Sequence, residues 1–428
     1  MNRTFRNILI LWCCLSSTLV NAQEGIYLTA EKVIALAKTD NIDIKKEILK
    51  VQMADAQLSK AKEWWLPDLF VGTQLHQLDG SGLNTDGRIF TDVDRQSRWY
   101  GGEARVDWNI GKGIYDAKIA KLNAKSASFQ SEVSKNQVTL DVLETYYNLL
   151  SITAKKALYK DMITSKTNLV DQLKIQVDAG LRLSSELLIA KSNKSRLMLE
   201  QMKLEQEYQS AMTNMLIALN IKENQNLYVD IADLKKVELD EATSTSSAIE
   251  NHPIITASEL QSKAAAQQSK QVWNSIMIPN VGVSYNVGSF GEDYNSTRST
   301  DAWNGYIGWK LPLGQLVYGG GSKIANQSKA ISELELEHNK TRITSQITAF
   351  QNKLAIYDTM ISLAEEGGQF AKEALEQSKT RQEAGLGTIY EILLAEEAYM
   401  SAQMLYLEAV VDYNMTSFML VDAMGMKL

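Results

Sequence analysis

One stretch of this chain occurs twice. Residues 176–190 read Gln-Val-Asp-Ala-Gly-Leu-Arg-Leu-Ser-Ser-Glu-Leu-Leu-Ile-Ala, and residues 381–395 read Arg-Gln-Glu-Ala-Gly-Leu-Gly-Thr-Ile-Tyr-Glu-Ile-Leu-Leu-Ala. At a constant offset of 205, Ala179, Gly180 and Leu181 fall on Ala384, Gly385 and Leu386. Glu186 falls on Glu391, Leu188 on Leu393 and Ala190 on Ala395. Each copy sits between two long segments of helical pattern. A Gly just past one helix, followed at once by another helix, reads as an αα-hairpin turn. The duplication constrains the fold more than composition does, because whatever the first half builds the second half builds again.

A second pair of matching events surrounds two prolines. Ahead of Pro67, Thr29–Trp65 reads as one helix capped at Thr29, and beyond it the period changes to two. Leu69, Val71, Thr73 and Leu75 alternate with Phe70, Gly72, Gln74 and His76. A polar loop at Asp79–Arg98 follows. Then Tyr100, Ala104, Val106, Trp108 and Ile110 alternate with Glu103, Arg105, Asp107 and Asn109. In the second half, Pro279 opens Val281, Val283, Tyr285 and Val287 against Asn280, Gly282, Ser284 and Asn286. After the loop Gly291–Asp301, the residues Trp303, Ile307, Trp309, Leu311 and Leu313 alternate with Asn304, Tyr306, Gly308 and Lys310. Strands are therefore expected at about 67–78, 99–110, 279–290 and 302–313. An apolar face with aromatic ends opposite a charged face is the alternation of a transmembrane strand around a wet interior. A half-buried soluble hairpin has the same period. On the membrane reading, Glu103, Arg105, Asp107 and Lys310 face the lumen.

Between these pairs lie very long helices. Ile114–Ala179 contains no Gly or Pro, and at ~1.5 Å per residue its 66 residues make a rod on the order of 100 Å. Such a rod needs partner helices along its length. Ile119, Leu122, Phe129, Val133, Leu140, Leu143, Tyr147, Leu150, Ala154 and Ala157 form a seam in steps of three and four. In the last helix Ala395, Ala402 and Ala409 recur every seven residues and interleave with Tyr399, Tyr406 and Tyr413, an a/d pattern. Gly367-Gly368 interrupts the matching rod, at a cost of roughly 1 kcal/mol per Gly relative to Ala, and predicts a kink.

Met1–Ala22 reads as a secretory signal peptide: Arg3 and Arg6 precede the apolar run Ile8–Leu15, and small residues end at Ala22. Cys13 and Cys14, the only cysteines, leave with it. Trp12 and Cys13 are poor as the small residue that precedes a lipid-modified cysteine. The remaining chain divides into a first repeat at 23–221, a polar joint at 222–247 and a second repeat at 248–428, with tip turns at about 179–184 and 384–389. Loss of Arg3 and Arg6 takes the formal charge from −7 to −9. An acidic exported chain without a basic tract is a poor binder of nucleic acid. No apolar run approaches the ~20 residues of a membrane helix, so entry into a membrane has to use strands. Four strands cannot close a barrel, open edges cannot sit in hydrocarbon, and membrane barrels start at about eight strands. Several chains must then share one barrel: two give eight strands, three give twelve.

A duplicated chain with two strand pairs, two very long helices and turns of the form Ala-Gly-Leu followed by Glu-(Leu/Ile)-Leu-x-Ala resembles the TolC-like outer membrane efflux proteins. The resemblance covers essentially the whole chain after the signal peptide. It implies a mainly α fold with a β-barrel part: a homotrimer with a twelve-stranded barrel in outer membrane lipid and an α-helical periplasmic tunnel. It implies passive export of small molecules or proteins, with a periplasmic adaptor protein and an inner-membrane transporter, and neither catalysis nor a cofactor. It places Ala179, Gly180, Leu181, Ala384, Gly385 and Leu386 at the adaptor-docking tips. Glu391, with Glu186 as its counterpart, becomes an acidic ring at the entrance. Leu394 stands where some members carry a second acid. The other reading of the two glutamates is ordinary solvated helix surface.

Other chemistry is thin. His76, His252 and His338 have no ligand spacing, against a metal site or a catalytic triad. Met400, Met404, Met415 and Met419 stand at i,i+4 spacing, where Cu(I) binding competes with core packing. Gly319-Gly320-Gly321 leaves a strand pair for a helix and reads as a junction. A non-conducting coiled-coil structural or adhesion protein of the envelope is the alternative to an export duct. The charged faces of the strands favour the duct.

Overall fold

The structure, a computed structural model, describes residues 26–83, 87–222, 226–237, 249–292 and 298–428. The expected signal peptide, both cysteines and the Thr243–Ser247 run lie outside them. In chain order the elements are β1 (Ile26–Leu28), α1 (Ala30–Asp40), α2 (Ile42–Lys62), β2 (Asp68–Leu83), β3 (Ile89–Asn109), α3 (Ile110–Asp178) and α4 (Ser184–Ala218). There follow β4 (Leu227–Val229), α5 (Pro253–Met277), β5 (Asn280–Gly291), β6 (Arg298–Gly308), α6 (Leu313–Tyr318), α7 (Gly320–Glu383) and α8 (Ile389–Ala423). Among the described residues no helix is long and apolar enough to cross a membrane. The chain forms two compact units: Met1–Lys45, Lys135–Thr243 and Ser345–Leu428 make one, and Lys46–Ser134 with Ser244–Thr344 make the other.

The second of these holds a four-stranded antiparallel sheet in the order β2-β3-β5-β6. Its two hairpins meet through β3 and β5. The register places Leu69 opposite Ala104, Val106 opposite Val283, Trp108 opposite Val281, Tyr285 opposite Trp303 and Val281 opposite Ile307. Side chains alternate along a strand, so the apolar sets read from the four segments fall on one face. Asp68 opposite Arg105, Glu103 opposite Asn286 and Ser284 opposite Asn304 lie on the other. The apolar face is bare in the single chain: Val71 is 85% exposed and Ile307 70%. Helices pack beside the sheet through few, specific bonds. Trp108 Nε1 donates to Trp65 O at 2.9 Å and Trp309 Nε1 to Met277 O at 3.0 Å. Ser126 Oγ donates to Ala257 O at 3.0 Å.

Several boundaries differ from expectation. β2 runs on to Leu83, β3 starts at Ile89 and β6 at Arg298, so much of both expected polar loops is strand. Apolar alternation marks only where a face must be greasy, whereas a ladder continues as long as backbone groups find partners. β6 stops at Gly308 rather than near 313, because Gly308 already pairs with Asn280, the first residue of β5, and the residue before it, Pro279, lacks an N–H for a ladder; Pro312 stands at the N-cap of α6. Leu313 is thus helical, and Lys310 lies off the sheet. The expected helix Thr29–Trp65 splits at Asn41. There Oδ1 accepts from Asp43 N at 2.7 Å and Ile44 N at 3.2 Å, an N-cap that starts α2. Nδ2 donates to Ala218 O at 2.8 Å, which ties the break to the end of α4.

The other unit is a helix assembly with a small parallel pair, β1 with β4, on the expected polar joint. Asn414 of α8 clasps that joint: Oδ1 accepts from Val237 N at 2.8 Å and Nδ2 donates to Lys235 O at 2.7 Å. In the predicted seam of α3, Leu140, Leu143, Tyr147, Leu150 and Ala154 are buried, while Ile119, Leu122, Phe129, Val133 and Ala157 are half-buried. Ala395 and Ala409 are buried too, with Tyr399, Tyr406 and Tyr413 half-buried around them. Gly367-Gly368 does not break the rod: α7 is continuous from Gly320 to Glu383. A Cβ on Gly368 would stand 3.1 Å from Gln403 Nε2 of α8, so the glycine there admits a neighbour.

One charged contact crosses the buried seam. Lys166 Nζ donates to Glu396 Oε2, with both side chains nearly inaccessible, at 4% and 3%. Burial pushes the Lys166 amine below its ordinary value, against the pull of the neighbouring carboxylate. Removing one partner strands the other charge, at about 3–5 kcal/mol, whereas an apolar pair of similar volume is often neutral or stabilising. Lys166→Met and Glu396→Leu should each lower the unfolding midpoint sharply in detergent, and the double variant should regain most of the loss. A double variant as weak as the singles shows that packing, not charge, governs the site.

Candidate functional site: the paired turns and the charged sheet face

Both turns of the duplicated motif have the same backbone. Gly180 has φ +73° and Gly385 φ +75°. Gly180 N donates to Val177 O at 2.9 Å and Leu181 N to Gln176 O at 2.8 Å; Gly385 N donates to Gln382 O at 3.0 Å and Leu386 N to Arg381 O at 2.8 Å. These are the two bonds of a Schellman stop, which satisfies the last carbonyls of α3 and α7 with a left-handed residue just past the helix end. Ala179 and Ala384 are exposed at the stops. Leu181 and Leu386 project from them at 75% and 76% exposure.

The restarts differ. Thr388 caps α8, its Oγ1 accepting from Glu391 N at 3.3 Å, whereas Leu183 at the start of α4 makes no side-chain cap bond. Thr388 and Glu391 have the spacing of a capping box, a signal legible in the sequence. Nothing in the sequence pointed to Arg182. Its guanidinium donates to Gly387 O at 3.0 Å and lies 3.5 Å from both Gln382 O and Glu186 Oε2. It joins the first turn to the second. Gly387 is buried, and a Cβ there would sit 2.9 Å from Gln382 N, so the second turn folds tightly against its own helix end. Below the turns Leu169, Val170, Leu173, Leu187, Ile389 and Ile392 form a separate buried cluster.

The acidic candidates are not bare. Glu186 faces Arg182, and Glu391 Oε2 is 3.7 Å from Arg381 Nε with its side chain 41% exposed. Each glutamate also stands in the first turn of a helix, where its charge meets the positive end of the helix dipole. Leu394 is 59% exposed.

On the polar face of the sheet, Glu103 is buried beside Arg105 at 2.7 Å, and Asp107 Oδ1 accepts from Tyr306 OH at 2.9 Å. Glu103 and Arg105 line an open hollow of about 950 Å³ with Gln74, Trp99, Asn286 and Arg298. Of the four lumen-facing candidates the sheet thus brings three together, and Lys310 stands apart on the segment after β6. The histidines do not converge: His76 is on β2, His338 on α7, and His252 Nδ1 caps α5 by accepting from Ile254 N at 3.2 Å. Met415 is buried in the helix core with Met419 packed against it. Among the described residues no three His, Cys, Asp or Glu side chains are grouped to hold a metal ion.

Residues 245–426 match the outer membrane efflux protein family. The chain is similar to those channels. No curated protein matches it in sequence. Among solved structures, CusC aligns with a TM-score of 0.78 at 16% identity over 96% of each chain. The Campylobacter jejuni CmeC outer membrane channel aligns at 0.78 and 16%, over 92% of this chain and 85% of that one. The open state of the Neisseria gonorrhoeae MtrE outer membrane channel aligns at 0.79 and 15%, over 94% and 89%. At such identities the likeness is one of fold, and it extends over nearly the whole chain. The resemblance drawn from the duplicated turns holds.

The left-handed glycines supply the most direct test of the turns. A Cβ in that conformation costs about 1–2 kcal/mol, and at neither glycine would it meet another atom within 4 Å. Gly180→Ala and Gly385→Ala should therefore each lower stability by about that amount through backbone strain alone, with no change in oligomeric mass. Asn at either position should lose less. Denaturation midpoints equal to the parent's would show that the turns relax without their glycines.

Proposed function

We propose that this chain is the outer membrane channel of an export system. The observation that carries the reading is the four-stranded sheet: one continuous apolar face, one charged face, and two edge strands whose outer edges meet no strand among the described residues. An exposed greasy sheet with open edges suits a segment of a shared barrel with lipid outside and water inside. Three copies give twelve strands, and the helical unit then forms the periplasmic tunnel. No step in this needs catalysis; the duct conducts, and an inner-membrane transporter coupled through a periplasmic adaptor drives the flow of small molecules or proteins. Ala179, Gly180, Leu181, Ala384, Gly385 and Leu386 are the adaptor's docking points, and Glu391 and Glu186 set the charge of the entrance.

The mass of the detergent-extracted protein is expected to equal three chains, and a stable monomer in lipid overturns the shared barrel. The faces are tested separately. Val106→Arg and Ile307→Arg place charge on the lipid side at roughly 2–4 kcal/mol near the midplane, and should impair membrane assembly, while Asn109→Arg and Asn304→Arg should be tolerated. Equal tolerance at both pairs means that the faces are misassigned.

At the turns, Gly385→Trp should leave trimer formation intact and abolish export by displacing the adaptor. Full export by that variant removes the docking role.

A further inference from the structure

The polar face of the sheet carries large aromatic side chains as well as charges. Three of them, Phe70, Trp99 and Tyr306, lie across glycines, whereas Phe290, opposite Trp99, covers none. Phe70 covers Gly72 two residues along β2, and a Cβ at Gly72 would be 2.8 Å from Phe70 Cζ. Tyr306 covers Gly282, its partner across β5 and β6; a Cβ there would fall inside the ring's own contact distance. The Tyr306 hydroxyl is tied down at its far end by Asp107 at 2.9 Å. Trp99 covers the facing pair Gly101 and Gly288, with indole atoms 3.0 Å from either would-be Cβ. Phe70 and Trp99 then stack on each other, with centroids 6.5 Å apart and an interplanar angle of 20°. Glycine in a strand interior weakens the strand and marks a close approach; at Gly72 and Gly282 the approaching group is a ring on the same face, and at Gly101 and Gly288 the Trp99 ring approaches together with the backbone of the facing strand. Neither Gly72 nor Gly282 has a positive φ, so backbone conformation does not demand them.

We infer that the glycines Gly72, Gly282 and the pair Gly101 and Gly288 are notches that lay Phe70, Tyr306 and Trp99 flat against the inner wall, and so determine how wide a solute the barrel passes. The inference rests on the channel reading. A ring of this size standing upright reaches several ångströms into the bore, and three copies of each multiply the effect around the axis. Filling a notch lifts the ring and narrows the duct without altering any charge.

The test uses Gly282→Ala and Gly72→Ala, where the obstructing atoms are side-chain atoms. Gly101 and Gly288 are avoided, because a Cβ there would also collide with strand backbone. The full-length trimer is reconstituted in planar bilayers, and graded polyethylene glycols are added to one side at a time. Gly282→Ala should lower the polymer size that is excluded from the barrel side and leave the cut-off from the opposite side unchanged. Adding Tyr306→Ala to Gly282→Ala should restore the parent cut-off or exceed it, since the lifted ring is then gone. Gly72→Ala should behave alike and be relieved by Phe70→Ala. A barrel-side cut-off equal to the parent's in both alanine variants overturns the inference, as does a decrease that persists after the ring is removed. A parent that forms trimers but no conducting pore overturns the channel reading itself, and the two failures are distinct.

Discussion

Backbone hydrogen bonding at the sheet edges is the constraint on which the rest depends. β2 and β6 each present an outer row of N–H and C=O groups that no strand among the described residues satisfies. In water such edges recruit other chains, and in hydrocarbon every unpaired group costs several kcal/mol. Either way the edges need partners. The strand count decides which: with four strands in strict antiparallel order, a second copy that sets its β2 beside β6 preserves the alternation, and so does each copy added after it. An odd number of strands would force a parallel pair at every joint. An even, self-complementary module can therefore close on copies of itself.

The helices face a different demand. Residues 110–178 and 320–383 are single helices of 69 and 64 residues, and helices of that length draw their stability from packing along one stripe rather than from propensity. The stripe is filled where Leu143, Tyr147 and Leu150 meet α8 residues such as Ala409 and Val410 in one buried cluster. A seam built only of apolar side chains tolerates sliding by a turn. Lys166 with Glu396, and Asn414 with the backbone at 235–237, are polar contacts that admit one register only. They cost desolvation and return specificity, so that the two turns at the end of the assembly arrive level enough for Arg182 to span them.

What the sequence displayed follows from which interactions are local. The period-two segments revealed both strand faces, because alternation is written residue by residue. The turn glycines were legible because only Gly reaches φ near +75° without strain. Pairing of β3 with β5 was not legible, since nothing in either hairpin names its neighbour. Lys310 was placed on the strand because the alternation Trp309, Leu311, Leu313 runs on past it, whereas the ladder ends at Gly308, where the partner strand begins at Asn280 after Pro279. At Gly367-Gly368 the sequence displayed glycine's local cost in a helix but not the approach of Gln403 to Gly368, which comes from 35 residues away along the chain. Arg182 left no trace at all, its three acceptors being set by the packing of the turns.

The charge of the turns has to be read as a sum rather than as two acids. Coulomb energy falls with distance and is weakened by water, so the nearest charge dominates. For Glu391 that is Arg381 at 3.7 Å, and for Glu186 it is Arg182 at 3.5 Å. Copies of either glutamate brought around a common axis stand farther apart than this unless the axis is nearly closed. An exposed ion pair such as Arg381 with Glu391 contributes little to stability, but both pairs shape the local potential. Arg182 and Arg381 offset the two glutamates, but Asp178 and Glu383, exposed just before the glycines, leave the turns net acidic, and the bare hydrocarbon of Leu181 and Leu386 projects from that acidic surround. Glu186 and Glu391 add to that acidic field only where a movement of the turns draws an arginine away from its glutamate.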